Sequence, residues 1–257
     1  MTASTPRTGA SSRQSPRPQK TAMLLARRIV GEITSRGLEP GAALLSEKDM
    51  LEEYGVARGT LREALRFLEI QGVISIKTGP GGGPIVATPS SRPLASTIAL
   101  LLQLHHAPFR TVLEARVVLE PPLAAKAAER ISDAQLVALH DSVQRMRDNV
   151  ADLELFLHEN TRFHEIIADA ADNEVFALTI SSLYWITDAT PLGVDYPQKV
   201  RESVCREHQR IYQAIRARDT DRAATAMAVH IGDFATYLER YYPKIMDEPL
   251  RWDQVQW

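Results

Sequence analysis

The stretch from residue 46 to residue 72 constrains the fold of this 257-residue chain more than any other part of it. Ser46 stands directly before the acidic Glu47, a pattern typical of a helix N-cap followed by a negatively charged first turn. Gly55 ends that short helix, and a second helix is predicted from about residue 57 to residue 72. Two short helices joined by a tight, glycine-containing turn are typical of a helix-turn-helix.

The residues that follow predict two short strands joined by a turn. Apolar and polar residues alternate over 73–77, and 85–87 is again apolar, so both segments favour a strand. Between them, 79–84 has the sequence GPGGGP, which excludes a helix and favours a turn. An earlier helix is predicted from Thr21 to Gly37, because apolar residues recur there at helical spacing. The N-terminal part is therefore predicted to be a winged helix-turn-helix with a two-stranded wing.

The remainder of the chain predicts an all-α helical bundle, so that the fold class is mainly α. Seven helices are expected, at 94–106, 109–130, 132–149, 151–171, 173–189, 197–217 and 219–241. Pro121-Pro122 should kink or break the second of them. The predicted division is a disordered arm at 1–19, a winged helix-turn-helix at 20–88, a linker at 89–94, an all-α domain at 95–241, and an unassigned C-terminal tail at 242–257.

Composition and charge favour a two-domain cytoplasmic protein whose first third meets a polyanion. A chain of 257 residues is long enough for two domains, and its 44% hydrophobic residues are enough to form their cores. No apolar stretch is long enough to span a bilayer, no signal-peptide core opens the chain, and the single Cys205 fits a reducing compartment. Residues 1–92 hold 13 Lys and Arg against 8 Asp and Glu, whereas the rest of the chain is acidic.

The second helix of the helix-turn-helix offers a surface suited to DNA. In this motif the N-terminal residues of that helix reach base edges in the major groove. Arg58 and Arg62 lie four residues apart on one face, and arginine is well suited to a bidentate contact with guanine. Thr60 can donate to a phosphate at the helix start, and Lys48 offers a second phosphate contact. For any single arginine, an ordinary solvated helix face is the alternative.

Three histidines in the helical remainder suggest a metal site. Asn160 and His164 are four residues apart and share a helical face, His208 lies in a later helix, and His230 lies in the last one. Three imidazoles and one oxygen ligand from three helices can converge inside a bundle. Imidazole suits zinc and nickel, and the oxygen ligand keeps manganese possible. Each histidine taken alone is more often a buried, hydrogen-bonded residue or a surface one.

Several segments in register resemble the DNA-binding domain of the GntR family over roughly residues 21–88. They are the runs at 37–41, 45–51, 54–58, 61–69 and 72–74. The resemblance implies DNA contacts at Lys48, Arg58 and Arg62, with the wing glycines at Gly82 and Gly83. The family usually has Arg where this chain has Lys48, and lysine lacks the planar fork of arginine, so a point charge on phosphate is expected there.

Residues 95–240 resemble the FCD ligand-binding domain, which defines the FadR-type branch of the same family. The matching segments are those at 116–120, 123–125, 160–164, 172–173, 207–208, 211–215, 219–223, 226–227 and His230. The resemblance implies a divalent metal held by an Asp and three His, and a carboxylate effector beside it. The histidine positions match His164, His208 and His230, whereas Asn160 occupies the Asp position.

Two departures bear on this expectation. Asn160 carries no charge, so metal affinity should be weaker and the attraction for an anionic effector stronger than with Asp. Arg116 resembles the effector-binding arginine of the family, and an ion pair with Glu120 one turn on is the alternative role. Pro121-Pro122 follows directly and should reshape the pocket.

The resulting prediction is a homodimer that binds a palindromic operator in double-stranded DNA and is released, as a repressor, by a small carboxylate such as a hydroxy acid or sugar acid. Two alternatives stand beside it. A metal-dependent hydrolase could use the three histidines, although the sequence contains no His-Glu-x-x-His segment and no nucleophile elbow. A DNA-binding protein without an effector would use the histidines only structurally.

Overall fold

The chain consists of two compact units, residues 1–89 and 90–257. The computed structural model describes residues 18–79, 82–187 and 193–254. Helices dominate both units, as the mainly α fold class predicts. Among the described helices, none is long and apolar enough to cross a membrane.

The first unit has the three helices and two strands of the predicted winged helix-turn-helix. They are α1 (Pro18–Ser35), α2 (Glu47–Tyr54), α3 (Arg58–Ile70), β1 (Ile74–Lys77) and β2 (Gly83–Val86). The side chain of Ser46 caps α2 by accepting a hydrogen bond from the backbone N–H of Asp49. Gly55 ends α2 with a φ of 60°, which glycine adopts without strain. Ser46 therefore fixes the start of α2, and Gly55 allows the tight turn that joins α2 to α3.

Two boundaries of this unit differ from the expected ones. Helix α1 begins at Pro18, so the last two residues of the expected arm 1–19 are helical, and the rest of that arm lies outside the described residues. Proline at the start of a helix loses no hydrogen bond, because the first N–H groups have no helical partner. Strand β2 begins at Gly83 rather than at residue 85, with Pro84 opposite Ile76. Residues 80 and 81 of the expected turn lie outside the described residues.

A single apolar cluster holds the first unit together. The inner face of α3 contributes Leu61, Ala64, Leu65 and Leu68, all buried. These side chains pack against the apolar face of α1 and against Ile74 of the wing. Burial of an amphipathic face in this way leaves the opposite face of α3 in solvent.

The second unit is a bundle of helices, and its described residues form seven long helices where seven were expected. They are α4 (Arg92–Leu104), α5 (Arg110–Arg130), α6 (Asp133–Asp148), α7 (Leu153–Ala170), α8 (Glu174–Thr187), α9 (Gln198–Arg216) and α10 (Thr220–Tyr241). The tail that had no assigned structure contains a short helix, α11 (Pro243–Asp247). Side chains of Ser132, Asp152 and Asp219 cap the starts of α6, α7 and α10. Such caps are local sequence signals, so the starts of these helices could be predicted to within about two residues.

The expected break at Pro121-Pro122 is not found, because α5 runs through both prolines as one helix, and the alternative, a kink at these prolines, stays a prediction. The two carbonyl groups that lose a helical partner belong to Val117 and Val118, four residues earlier. Both valines are exposed, so water can satisfy those carbonyls. Buried residues on the opposite face of α5, among them Leu113 and Leu123, hold the helix in the bundle.

Helix α5 lies at the centre of the second unit and packs against α7, α8, α9 and α10. Helix α9 packs against α6 and α10 as well. Side chains from α5, α7, α9 and α10 therefore face a common interior, and the candidate ligands of the sequence lie on these four helices.

Candidate functional site

The three histidines singled out in the sequence meet inside the second unit. His164 of α7, His208 of α9 and His230 of α10 are all buried. The Nε2 atom of His230 lies 3.2 Å from that of His208 and 3.3 Å from that of His164. An ion with metal–nitrogen distances of about 2.0–2.1 Å in tetrahedral geometry separates its nitrogen ligands by about 3.3 Å. The spacing of the three nitrogens therefore fits a transition-metal ion.

Two carboxylates lie behind these imidazoles. The Nδ1 atom of His230 is 2.8 Å from Oε2 of Glu207. The Nδ1 atom of His164 is 2.7 Å from Oε2 of Glu120, within ion-pair distance although its alignment is poor for a hydrogen bond. Carboxylates in this position fix the tautomer of a ligating histidine and orient its ring. With the proton on Nδ1, both histidines direct the Nε2 lone pair toward the shared centre.

Burial disfavours protonation of two of the three imidazoles, His164 and His208. Burial lowers the pKa of His164 to about 4, against the opposing attraction of Glu120. Burial, together with His230 and His164, also lowers the pKa of His208 well below its ordinary range. His208 stacks on Phe163 with ring centroids 3.8 Å apart. Neutral imidazoles with converging lone pairs repel one another weakly and bind a cation well.

Arg116 of α5 is buried beside the cluster. Its Nε donates to Oε1 of Glu120 at 2.6 Å, and its Nη1 donates to the hydroxyl of Thr187 at 3.1 Å. Its Nη2 donates to the Tyr184 hydroxyl. The ion pair with Glu120, the alternative role of Arg116 in the sequence, is therefore present. Burial opposes ionisation of Glu120, but Arg116 and His164 hold the pKa of that carboxyl down at about 2.

A small cavity connects Arg116 with the histidines. Its free volume is about 80 Å³. The polar residues on its wall are Arg116, Asn160, Thr161, His164, Tyr184, Thr187, Tyr196 and His230. Asn160 lies one turn before His164 on α7, so it faces the same space. His208 closes the cluster from α9 without lining the cavity. The cavity can hold a small polar molecule between a guanidinium and a cation site.

Two functional residues were missed by the sequence analysis. Glu120 appeared only as a partner of Arg116, although it also contacts His164. Glu207, the neighbour of His208 in the sequence, supports His230 instead. Glu207 and His208 are adjacent on α9, and adjacent helical residues point in different directions. This adjacency is the one sequence signal that Glu207 contacts a residue other than His208.

The second candidate surface lies in the first unit. Arg58 and Arg62 are exposed on α3, Lys48 is exposed on α2, and Thr60 is half-buried. Within the described residues, none of the three cations forms an ion pair, so their charges are available to a ligand. The N-cap residue Ala57 makes no side-chain hydrogen bond to the start of α3. The first backbone N–H groups of α3 therefore remain free to bind an anion.

The wing glycines lie at the start of β2. Gly82 donates its backbone N–H to the carbonyl oxygen of Gly79 at 2.9 Å. A Cβ atom on Gly82 would clash with the carbonyl oxygen of Lys77, so glycine is required there for the turn itself. Gly83 pairs with Lys77 in the ladder. Gly82 and Gly83 therefore present backbone without side chains where β2 begins.

Comparisons with known proteins match one known domain in each unit. Residues 22–82 match the family described as bacterial regulatory proteins, gntR family, and residues 111–233 match the FCD domain. The regulator LutR of Bacillus subtilis is 30% identical over 80% of this chain and 95% of its own length. The repressor NanR of Cronobacter sakazakii is 28% identical over 83% of this chain and 87% of its own length.

A solved structure shows the same fold. The GntR protein of Streptococcus agalactiae superposes with a TM-score of 0.64 at 25% identity, covering 84% of this chain and 99% of that one. The family and the named relatives are transcription regulators, so the hydrolase alternative is wrong. The chain belongs to the GntR family of bacterial regulatory proteins and is a DNA-binding transcription regulator with a C-terminal FCD domain.

Proposed function

We propose that this chain is a repressor that leaves its operator when a small carboxylate binds beside a divalent metal ion in the second unit. The observation that carries the proposal is the convergence of three buried imidazoles, two of which line a cavity that the buried Arg116 also lines. A cation and a guanidinium that face one small space are complementary to a carboxylate. The relative NanR bears the name of a repressor, which favours repression over activation.

The ligand set fits a divalent transition metal. His164, His208 and His230 would hold the ion through their Nε2 atoms, with Asn160 as the candidate oxygen ligand. Zinc, nickel and manganese are compatible with this donor set. A bound ion supplies a positive charge to which one oxygen of the acid can bind. Because Asn160 is neutral, the metal is held less tightly than by an aspartate, and the centre attracts an anion more strongly.

Arg116 is suited to bind the second oxygen of the acid. A guanidinium has five N–H donors, and the contacts with Glu120, Thr187 and Tyr184 engage three of them. One N–H on each terminal nitrogen is left for a ligand. Attraction to Glu120 raises the pKa of Arg116 despite its burial, so the side chain stays charged. The volume of about 80 Å³ favours a small acid over an acyl chain.

The DNA contacts are assigned to the first unit. Arg58 and Arg62 would contact base edges, Lys48 and Thr60 would contact phosphates, and the narrow wing at Gly82-Gly83 would approach the minor groove. Two copies would bind the two halves of a palindromic operator. Exposed Leu101 and Leu104 of α4 supply apolar surface of the kind that pairs two copies.

The effector acts through a difference in affinity. It can lower DNA binding only if it binds the DNA-competent arrangement of the dimer less tightly than the DNA-incompetent one. By reciprocity, operator DNA must lower the affinity of the chain for the effector by the same factor.

Operator binding in the presence of a panel of small carboxylates tests the proposal. The DNA is the region upstream of the protein's own gene, and binding is followed by fluorescence anisotropy with and without a chelator. One class of acid is expected to release the DNA from the metal-loaded protein. Arg116→Ala should lose this release and keep its DNA affinity, while the exposed Arg92→Ala should behave as the unaltered protein.

If no acid changes DNA binding, the effector part of the proposal is wrong and the chain regulates without a carboxylate. If Arg116→Ala releases DNA as the unaltered protein does, an effector exists but binds elsewhere.

A further inference from the structure

A larger groove lies next to the inner cavity, between α9 and α10. Its free volume is about 740 Å³. Three tyrosines of the C-terminal half of the unit line it, Tyr237, Tyr241 and Tyr242, and Lys199 and Arg206 stand at its edges. The proposed function makes no use of this groove.

Three apolar residues line both spaces. They are Val200 and Val204 of α9 and Phe234 of α10. Val200, Val204 and His208 follow one another at four-residue spacing, as do His230 and Phe234. Residues at this spacing share one helical face, so each apolar residue stands one or two turns from a histidine of the cluster. The three side chains form the wall between the inner cavity and the groove.

Phe234 is the largest member of the wall and is held from two sides. Its ring stacks with that of Tyr196, with centroids 6.3 Å apart and planes 13° apart. The guanidinium carbon of Arg116 lies 6.0 Å from the centre of the same ring. Phe234 therefore faces the group that would bind the acid, and an effector extending from Arg116 toward the groove would meet this ring.

We propose that Val200, Val204 and Phe234 are the specificity-determining residues of the effector site, and that their wall restricts the effector to short carboxylic acids. The inference rests on the proposed function, because it assumes that Arg116 and the histidine cluster bind the carboxylate. While the wall is intact, a bulky substituent that extends from Arg116 toward the groove meets the ring of Phe234. Shortening Phe234 joins the cavity to the groove, where the tyrosines accept an aromatic substituent.

Glycolate and mandelate are matched probes for the wall, because they share the 2-hydroxy acid and differ by one phenyl ring. Their binding to the full chain, supplied with zinc, is measured by titration calorimetry. The unaltered protein should bind mandelate at least tenfold more weakly than glycolate. Phe234→Ala should bind mandelate at least tenfold more tightly than the unaltered protein does, with glycolate binding changed less than threefold.

Two further variants separate the wall from general damage. Phe234→Leu keeps most of the apolar packing and should give a smaller gain for mandelate in the same direction. Tyr241→Ala changes the groove only and should leave the binding of both acids as it is in the unaltered protein. Circular dichroism shows whether each variant is folded.

The outcomes distinguish the wall from the proposed function. If glycolate binds and both Phe234 variants, folded, keep the original preference for glycolate over mandelate, the wall is not the determinant and the inference is wrong. The inference also fails if the unaltered protein binds both acids equally. If glycolate binds Arg116→Ala as well as the unaltered protein, the proposed effector site is wrong and the inference falls with it.

Discussion

At the scale of single residues, Glu120 links the two halves of the effector site. It accepts from Arg116 and lies at ion-pair distance from His164, and all three side chains are buried. A carboxylate shared in this way stabilises the guanidinium and the imidazole together, so its charge is required by both. Removal of one member of a buried ion pair leaves the other charge without compensation.

Glu120→Gln should therefore destabilise the second unit by about 3–5 kcal/mol, because it leaves Arg116 charged and buried. Urea unfolding, monitored by tryptophan fluorescence, measures this loss of stability, since all three tryptophans lie in the second unit. Glu129→Gln, at an exposed position of the same helix, should change stability by less than about 0.5 kcal/mol. Equal effects of the two substitutions on the free energy of unfolding would show that Glu120 contributes no more to stability than the exposed Glu129 does.

Asn160 stands where the resemblance to the FCD domain implies an aspartate. Asn160→Asp adds a negative charge to the cavity that His164 also lines, so zinc should bind about tenfold more tightly or better, a change of about 1.4 kcal/mol. Competition with a fluorescent zinc chelator measures the affinity. An unchanged affinity would remove Asn160 from the ligand set.

At the scale of elements, α3 joins a buried apolar face to an exposed basic one. The buried leucines fix the helix against α1, and Arg58 and Arg62 are thereby held in solvent at its N-terminal end. Lys48 lies on the preceding helix and contributes a compact charge rather than a planar fork. The two kinds of cation should therefore affect DNA binding differently.

Arg62→Ala should cost about 1–3 kcal/mol of operator binding and relax the base preference at one position of each half-site. Lys48→Ala should weaken binding to all sequences about equally and make the salt dependence shallower by about one unit of log–log slope. Anisotropy titrations on operator and scrambled DNA between low and moderate salt measure both effects. If Arg62→Ala reduces binding to both DNAs equally, Arg62 contacts phosphate rather than a base.

The elements also show what the sequence could predict. Helix starts with a Ser or Asp cap, such as those at Ser46 and Ser132, were located closely, because the cap is a local signal. The continuity of α5 through Pro121-Pro122 was not predictable, because packing of its buried face against four other helices outweighs the local preference of proline. The early start of β2 at Gly83 likewise depends on pairing with β1.

The candidate site was predictable only in part, because local signals can be read from the sequence and contacts between helices cannot. The spacing of Asn160 and His164 placed them on one face, and the resemblance to the FCD domain supplied the three histidines as a set. The roles of Glu120 and Glu207 depend on which helices pack together, so the adjacency of Glu207 and His208 indicates only that they point in different directions and does not identify His230 as the partner of Glu207.

At the scale of the whole molecule, the second unit contains a buried histidine, His164, whose protonation opposes folding. Burial lowers the pKa of His164 to about 4, below the ordinary value of about 6.5. Between these values the unfolded chain binds a proton that the folded chain does not bind, so the free energy of unfolding falls as the pH falls.

Metal-free protein should therefore lose stability between about pH 6.5 and pH 4, by an amount on the order of 3 kcal/mol for His164. Urea unfolding at a series of pH values, with tryptophan fluorescence as the probe, measures the slope. His164→Gln should make this slope shallower, because one titrating group is gone, while His208 still contributes to it. A stability that stays level from pH 7 to pH 5 in the unaltered protein would contradict the low pKa of His164.

The most direct test of the account is the metal content of the purified full-length chain. Elemental analysis after exposure to zinc and removal of the excess should find about one ion per chain, and His230→Ala should hold less than a tenth of that amount. His140→Ala, at an exposed histidine outside the cluster, should hold the same amount as the unaltered protein. Equal metal content in His230→Ala and the unaltered protein, or none in either, would show that the three histidines are not a metal site.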